Sequence, residues 1–306
     1  MKSLITGGAG FIGRHLIEKL IKEKHEIIVI DNMSSAEERE FPENARFYKR
    51  NIEDESIGEI FEKEKPDYVF HLAAQVSVQK SMNDPYRDCL SNIAGTVNLL
   101  RFSSKYKVKK YIFASSAAVY GEPEYLPIDE QHRKQSLSFY SLSKNTAEEY
   151  IRLFNKAFPL NFVILRFANV YGPGQNANGE AGVISIFMDQ LSKGLTPVVF
   201  GGNQTRDFVY VKDVADAMHA VLETQESGTF NVSTNTETSI IELLELIQKC
   251  MRRKTETLTE PPRPGDIKNS RLDNSMIKEV IKWTPKVTLN EGIKYTLEDI
   301  TETGTS

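Results

Sequence analysis

The chain has 306 residues, 40% of them hydrophobic and 26% charged, the make-up of an ordinary globular protein with length for one large domain or two modest ones. This excludes disorder, a collagen-like repeat and a disulfide mini-protein. Its 38 Lys and Arg against 42 Asp and Glu leave a net charge of -4, which argues against a strongly basic nucleic-acid binder.

Two distant cysteines, Cys89 and Cys250, offer no disulfide framework, and five histidines without an HxxxH or HExxH pair offer no metal site. The four lysines between Lys105 and Lys110 read as a solvated face. No stretch approaches the ~18–20 apolar residues of a membrane helix. No basic leader precedes an apolar run, so a cytoplasmic enzyme is expected.

In chain order, Leu4-Ile5-Thr6 reads as a strand, and Phe11 to Lys22 as a helix with Phe11, Ile12, Leu16, Ile17, Leu20 and Ile21 at helical spacing. Ile27 to Ile30 is a wholly apolar strand. Tyr68 to Leu72, Tyr111 to Ala114 and Phe162 to Leu165 are three more, with helical stretches near 54–65, 84–105 and 140–157 between them. Apolar strands separated by helices predict an α/β fold, a Rossmann-type doubly wound parallel sheet covered on both faces. Beyond Gly172 the rhythm changes to loops rich in Gly, Pro and Asn with shorter helices near 183–193, 239–252 and 290–299, a smaller α/β C-terminal domain.

The first strand runs into Thr6-Gly7-Gly8-Ala9-Gly10-Phe11-Ile12-Gly13 and then the first helix. Glycines in this GxxGxxG spacing permit a tight turn, close approach of a pyrophosphate and close helix–strand packing, with the helix N-terminus facing the phosphates. Asp31 directly follows the second strand, where a carboxylate bonds the adenosine ribose hydroxyls and repels a 2′-phosphate. Asn32-Met33-Ser34-Ser35 brings no cation, so the expected cofactor is NAD rather than NADP.

Tyr140-Ser141-Leu142-Ser143-Lys144 places a phenol and an ammonium at i and i+4, on one helix face. A free tyrosine with a pKa near 10 is a poor base at pH 7; lowering it by about three units takes roughly 4 kcal/mol, within reach of two nearby positive charges. A serine at the end of the Tyr111 strand completes a constellation suited to taking a proton from a hydroxyl.

On these residues the chain resembles the extended short-chain dehydrogenase/reductases and, within them, is similar to the UDP-galactose (UDP-glucose) 4-epimerases. The likeness runs almost end to end: Thr6 to Gly13, His71-Leu72-Ala73-Ala74, Asn92-Ile93-Ala94-Gly95-Thr96, Ser115 to Gly121, Tyr140 to Lys144, Arg166 to Gly172, Arg206-Asp207-Phe208 and Arg263-Pro264-Gly265-Asp266. It implies an NAD-binding domain over 1–166, with about 207–234 returning to it, and a nucleotide-sugar domain over 167–206 and 235–306.

The resemblance further implies that Tyr140 removes the sugar 4-hydroxyl proton while C4 gives hydride to NAD, and that the 4-keto sugar turns and takes hydride back on its other face. Lys144 would bond the nicotinamide ribose, and Ser116 would bridge the sugar oxygen and Tyr140. NAD would be held by Gly7, Gly10, Phe11, Ile12, Gly13, Asp31, Asn32, Asn51, Ile52, Leu72, Ala73, Ala74, Asn92, Ser115, Tyr140, Lys144 and Phe167. The UDP-sugar would meet Ser116, Tyr140, Asn169, Val183, Val198, Phe200, Arg206, Arg263, Asp266 and Ser270. The arginines suit bidentate phosphate contacts, and the loop Gly179-Glu180-Ala181-Gly182-Val183 resembles the family segment that closes over the nucleotide.

Two departures bear on the reaction. Related dehydratases carry an acidic pair after the active-site hydroxyl, and related decarboxylases keep an acid at the second position; this chain has Ala117 and Ala118, which favours chemistry confined to C4. Asn51-Ile52 stands where the family often has Asp-Ile. Seven residues after Arg263, Ser270 replaces a tyrosine that closes the pocket in glucose/galactose-restricted relatives, so UDP-GlcNAc and UDP-GalNAc are expected substrates beside UDP-glucose and UDP-galactose. The alternatives are a UDP-uronic acid 4-epimerase, a 4-keto-sugar-nucleotide reductase or a non-catalytic NAD sensor. A homodimer is expected, the helices near 84–105 and 140–157 pairing as a four-helix bundle through Leu90, Ile93, Val97, Leu100, Tyr150, Leu153 and Phe154.

Overall fold

A strand covered on both faces is buried along its length, and Lys2–Thr6 (β1) and Glu26–Asp31 (β2) are buried from their second residue, with apolar centres at Leu4-Ile5 and Ile27 to Ile30. Between them Phe11–Lys22 (α1) buries Leu16, Ile17 and Leu20 and carries Lys19 and Lys22 in its last turn, where cations oppose the helix dipole. The computed structural model describes residues 1–34, 41–176, 182–262 and 266–303. Among them no helix is long and apolar enough to cross a membrane, and no group of three or more His, Cys, Asp or Glu could hold a metal ion.

The chain divides into two compact units. The first comprises Met1–Val119, Ser136–Arg166 and Ala215–Phe230, and the second Tyr120–Gln135, Phe167–Val214 and Asn231–Ser306. The return to the first unit is thus shorter than 207–234, and the segment Tyr120–Gln135 is grouped with the second.

After β2 come Ala45–Lys49 (β3), Ile57–Glu64 (α2), Tyr68–His71 (β4), Val78–Asn83 (α3), Pro85–Cys89 (α4), Gly95–Lys105 (α5), Lys110–Ser116 (β5), Phe139–Ala157 (α6) and Phe162–Phe167 (β6). Six of the seven strands of the main sheet stand in the order β6-β5-β4-β1-β2-β3, with Gly228–Val232 beside β6, and the registers from β5 through β3 are parallel. The order reverses at β1, the position where doubly wound sheets bind ligands at their strand C-termini. The sheet and its helices close over one core that includes Leu4, Ile28, Ile30, Phe61, Val69, Leu99, Leu100, Phe113, Ile151 and Ile164.

Four features depart from the sequence reading. β3 is a mostly exposed edge strand, and helix Val211–Ala220 was not anticipated. The stretch 84–105 is three pieces, α4 and α5 being separated by a π-helical turn, Leu90–Ala94. Lys110 is not part of a solvated face: it is buried, and its ammonium donates to the carbonyls of Val221 (2.7 Å) and Thr224.

In the second unit, helices Val183–Ser192, Ile240–Cys250 and Leu289–Thr303 gather around Tyr171, Phe187, Met188, Leu191, Leu243, Leu244, Ile247 and Ile293. Short strands pair Asn169–Tyr171 with Phe208–Tyr210, Val198–Phe200 with Leu258–Glu260, and Thr205–Arg206 with Thr238–Ser239. Asp207, fully buried, accepts from the backbone and hydroxyl of Thr234 and from the Leu272 amide, so it stitches three segments together.

α6 starts in a reciprocal cap: the Ser141 amide donates to Ser138 Oγ (3.1 Å) and the Ser138 amide to Ser141 Oγ (3.0 Å). It ends before Phe158-Pro159, where the proline disfavours helix in the residue before it. Midway, Glu148 has no solvent exposure at all (0%). It accepts from Arg166 Nε (2.9 Å) and Nη2 (2.6 Å), from Arg152 Nη2 (3.0 Å) and from Ser115 Oγ (2.7 Å). These partners outweigh burial and hold its carboxyl at about 2, below an ordinary value of 4.5.

Removing Glu148 strands a buried guanidinium, so Glu148→Ala should cost about 3–5 kcal/mol, read as a lower urea midpoint. Because the carboxyl titrates lower in the folded than in the unfolded chain, its contribution is present above pH 4.5 and is lost as pH falls toward 2. Acid titration of the wild type should therefore cost more stability over that interval than titration of Glu148→Gln.

Candidate active site

The glycine turn of the first unit leaves no room for side chains. Gly7 has φ +72°, and a Cβ there would sit 2.6 Å from the Ala73 amide nitrogen; one at Gly13 would meet the Gly7 carbonyl and lie 2.7 Å from Gly8 Cα. The turns after β1 and β4 thus approach at backbone distance, Gly7 against Leu72 and Ala73, the latter followed by Ala74, while Gly10 and Gly13 pack on Gly7 itself. α1 begins at Phe11 and Ile12 with no side-chain cap and no acid in its first turn, leaving its N-terminal N–H groups for an anion. Asp31 accepts the Ala9 amide on Oδ2 (3.0 Å) and the Met33 amide on Oδ1 (2.8 Å), which fixes its carboxylate against the glycine turn. Asn32 donates to Asn51 Oδ1 (3.0 Å), while Ile52 is buried and its carbonyl accepts from Asn98.

Beneath this turn a buried network fixes every hydrogen. Thr96 donates to the Asn92 carbonyl (2.7 Å), so its oxygen accepts from His71 Nε2 (2.9 Å); His71 Nδ1 then accepts from Thr6 Oγ1 (2.8 Å), which takes the Ala73 amide (3.2 Å). Only a neutral ring meets these demands, and burial, with the Lys144 charge behind it, pushes the His71 pKa well down. Asn92, in the π-helical turn, accepts from the Gln75 amide (2.8 Å) and donates to the Gln75 carbonyl (2.9 Å), Asp88 Oδ1 (3.1 Å) and Ser143 Oγ (3.0 Å).

Lys144 is 3% exposed. Its ammonium donates to the Ala114 carbonyl (2.9 Å) and lies 4.7 Å from the Phe113 ring centroid. Burial draws its pKa from 10.5 to about 8, with the charges of Asp88 and Glu148 acting against the fall. Tyr140 is half-buried one turn earlier on α6, and its carbonyl accepts from Ser143 (3.0 Å). Ser116, half-buried at the end of β5, accepts the Ala118 amide (3.2 Å). The Ser115 hydroxyl is spent on Glu148.

In the second unit Phe167 is buried, Asn169 is exposed with its amide on the Asp207 carbonyl (2.9 Å), and Val183, Val198 and Phe200 are half-buried. Arg206 donates Nη1 to the Thr205 and Ile267 carbonyls (both 2.8 Å); burial lowers its pKa, and the charges of Asp266 and Glu122 oppose that. Asp266 is exposed. Ser270 is 9% exposed, in a segment held by the Thr205 amide on the Lys268 carbonyl (2.9 Å) and the Leu272 amide on Asp207 (3.3 Å). Arg263 and the loop residues Gly179, Glu180 and Ala181 lie outside the described residues.

Sequence reasoning missed Glu148, Asp88 and Gln75, whose partners are set by tertiary structure. The His71–Thr96 pairing had a trace in the sequence, since both belong to quoted motifs.

Residues 3–233 match the model of the NAD dependent epimerase/dehydratase family. A UDP-glucose 4-epimerase of Mycolicibacterium smegmatis is 39% identical over 306 residues, 97% of this chain and 98% of its own. Among solved structures, a UDP-glucose 4-epimerase with UDP-glucose from Thermotoga maritima is 42% identical with a TM-score of 0.97, covering 99% of both chains. A UDP-N-acetylglucosamine 4-epimerase from Methanobrevibacter ruminantium, in complex with UDP-N-acetylmuramic acid, is 34% identical with a TM-score of 0.94 over 99% of this chain and 98% of its own. With a family model matched over most of the chain and a relative 39% identical over nearly its whole length, the chain belongs to the NAD dependent epimerase/dehydratase family.

Proposed function

We propose that the protein is a UDP-hexose 4-epimerase. The observation that carries this reading is the arrangement on α6 and β5: a buried ammonium at Lys144, a half-buried phenol at Tyr140 on the same helix face, and Ser116 followed by two alanines. The first unit fits NAD: without side chains Gly7 and Gly13 let the turn pack at backbone distance, α1 offers uncapped N–H groups to a pyrophosphate, and Asp31 stands ready for ribose hydroxyls. Bound NAD supplies the acceptor and donor of a hydride at the sugar C4.

Tyr140 takes the 4-hydroxyl proton as C4 is oxidised and returns it when C4 is reduced on the opposite face. The Lys144 charge favours the phenolate, and Ser116 donates to the sugar oxygen. In the second unit Arg206, with Arg263, meets the diphosphate. Asn169, Val183, Val198, Phe200 and Asp266 serve the rest of the nucleotide sugar. Ala117 and Ala118 hold no proton to exchange with C5, so the 4-keto sugar leaves only by reduction.

The catalytic assignment is tested by Tyr140→Phe, which should keep the fold and bound NAD yet lose at least ~10²-fold in kcat on UDP-galactose. Turnover near the wild-type rate would end it.

Ser270 gives the sugar range. Its burial sets it apart from an ordinary surface-loop serine, and a small side chain there leaves room for an acetamido group. The protein should epimerise UDP-GlcNAc and UDP-GalNAc as well as UDP-glucose and UDP-galactose. In Ser270→Tyr, activity on the acetamido sugars should fall steeply while that on UDP-galactose survives. A wild type inert toward UDP-GlcNAc, or equal losses on both substrates, would remove Ser270 from this role.

A second copy of the chain is the proposed partner. The outward apolar residues of α4 and α6 include Tyr86 (75% exposed), Phe139, Leu142, Tyr150 and Leu153 (60%). Leu100 is not one of them: it is fully buried in its own core, and Phe154 packs against that core. Light scattering at micromolar concentration should give twice the chain mass, and Leu153→Asp should shift it toward the monomer; a monomeric wild type would count against the pairing.

A further inference from the structure

A buried ammonium needs a negative charge nearby, and Lys144 has none in contact: among the described residues its only polar partner is the Ala114 carbonyl. Of the acids around it, Glu148 on its own helix is already matched by two guanidiniums, Arg166 from β6 and Arg152 from α6. From β4 it faces the neutral ring of His71, and Tyr140 stands one turn away. Among the described residues the remaining acid is Asp88 on α4, 1% exposed, whose carboxylate has as hydrogen-bond partners there the neutral amides Gln75 Nε2 (2.9 Å) and Asn92 Nδ2 (3.1 Å). Asn92 also donates to Ser143, the residue next to Lys144, so Asp88 is tied to the site through one side chain.

We infer that Asp88 is the counter-charge of Lys144, a positioning residue that acts through it and keeps its buried ammonium protonated. This rests on the reading of Lys144 given above. The electrostatics agree, since the Asp88 charge is the largest influence opposing the effect of burial on Lys144. A purely structural Asp88, there to orient Asn92, would work equally well as an asparagine, because Oδ1 of either residue accepts both amides. The charge is what distinguishes the two roles.

The experiment titrates the full-length protein with 13C-labelled lysine side chains, the Lys144 signal being identified by its loss in Lys144→Met. Burial should bring its midpoint to about 8, apart from surface lysines. Asp88→Asn should lower that midpoint by ~1 pH unit, and Asp88→Glu, which keeps the charge, should restore it. Should Asp88→Asn not fold, Asp88→Ser removes the same charge. Turnover in Asp88→Asn should fall roughly fivefold at pH 8, with the alkaline limb of kcat/KM following the midpoint. An unmoved midpoint in a folded neutral variant, or the same fall in Asp88→Glu, overturns the inference. A midpoint that falls while the alkaline limb stays in place supports the pairing and overturns the role proposed for the Lys144 charge in turnover.

Discussion

The helix that carries Tyr140 and Lys144 is held by one buried carboxylate. Taking Glu148 out of water costs several kcal/mol, an expense met only because two guanidiniums and a hydroxyl converge on its two oxygens. The partners come from three elements, Ser115 on β5, Arg166 on β6 and Arg152 on α6 itself, so the helix can neither slide nor rotate without breaking a charged bond. One turn earlier Lys144 meets the Ala114 carbonyl of β5, and a further turn back stands Tyr140. Ser116 follows Ser115 directly. The three residues proposed to do the chemistry therefore share a single frame, anchored just beneath them.

That frame keeps its charges few. His71, in the middle of it, is neutral because both ring nitrogens are committed in opposite senses, to a donor at Thr6 and an acceptor at Thr96. A second cation there would compete with Lys144 for the little negative charge available. The network leaves Lys144 as the cation next to the phenol, and hydrogen-bonded neutral groups do the work of holding position.

The sequence was legible where physics is local. Glycine spacing, the acid after β2, the i, i+4 pair and the apolar strands are all written within a few residues, and they locate the fold and point to the first unit's candidate site. β3 escaped because Ala45-Arg46-Phe47-Tyr48-Lys49 is an edge strand with long polar side chains and no apolar run. The π-helical turn escaped because one extra residue hardly disturbs the hydrophobic period of 84–105, yet it is the turn that carries Asn92. Glu148 looks like any helix acid until Arg166, eighteen residues on and on another strand, closes over it. Periodicity likewise could not say which apolar side of α5 meets its own sheet, and Leu100 lies on that side.

The same frame explains why the proposed reaction ends where it began. Oxidising C4 to a ketone acidifies the C–H bonds beside it, so a positioned acid or base near C5 would open a route to elimination or decarboxylation. The resemblance to dehydratases and decarboxylases puts such a group in the turn after Ser116, which here holds Ala117 and Ala118, half-buried methyls with no proton to give or take. With that exit closed, return of the hydride is the step the protein's own groups can assist. Both faces of C4 are then served by the same phenol, and the sugar must turn between the two transfers. In the proposed reading, tolerance for different sugars lies with the second unit, through Ser270, and can vary without altering the residues that move the proton.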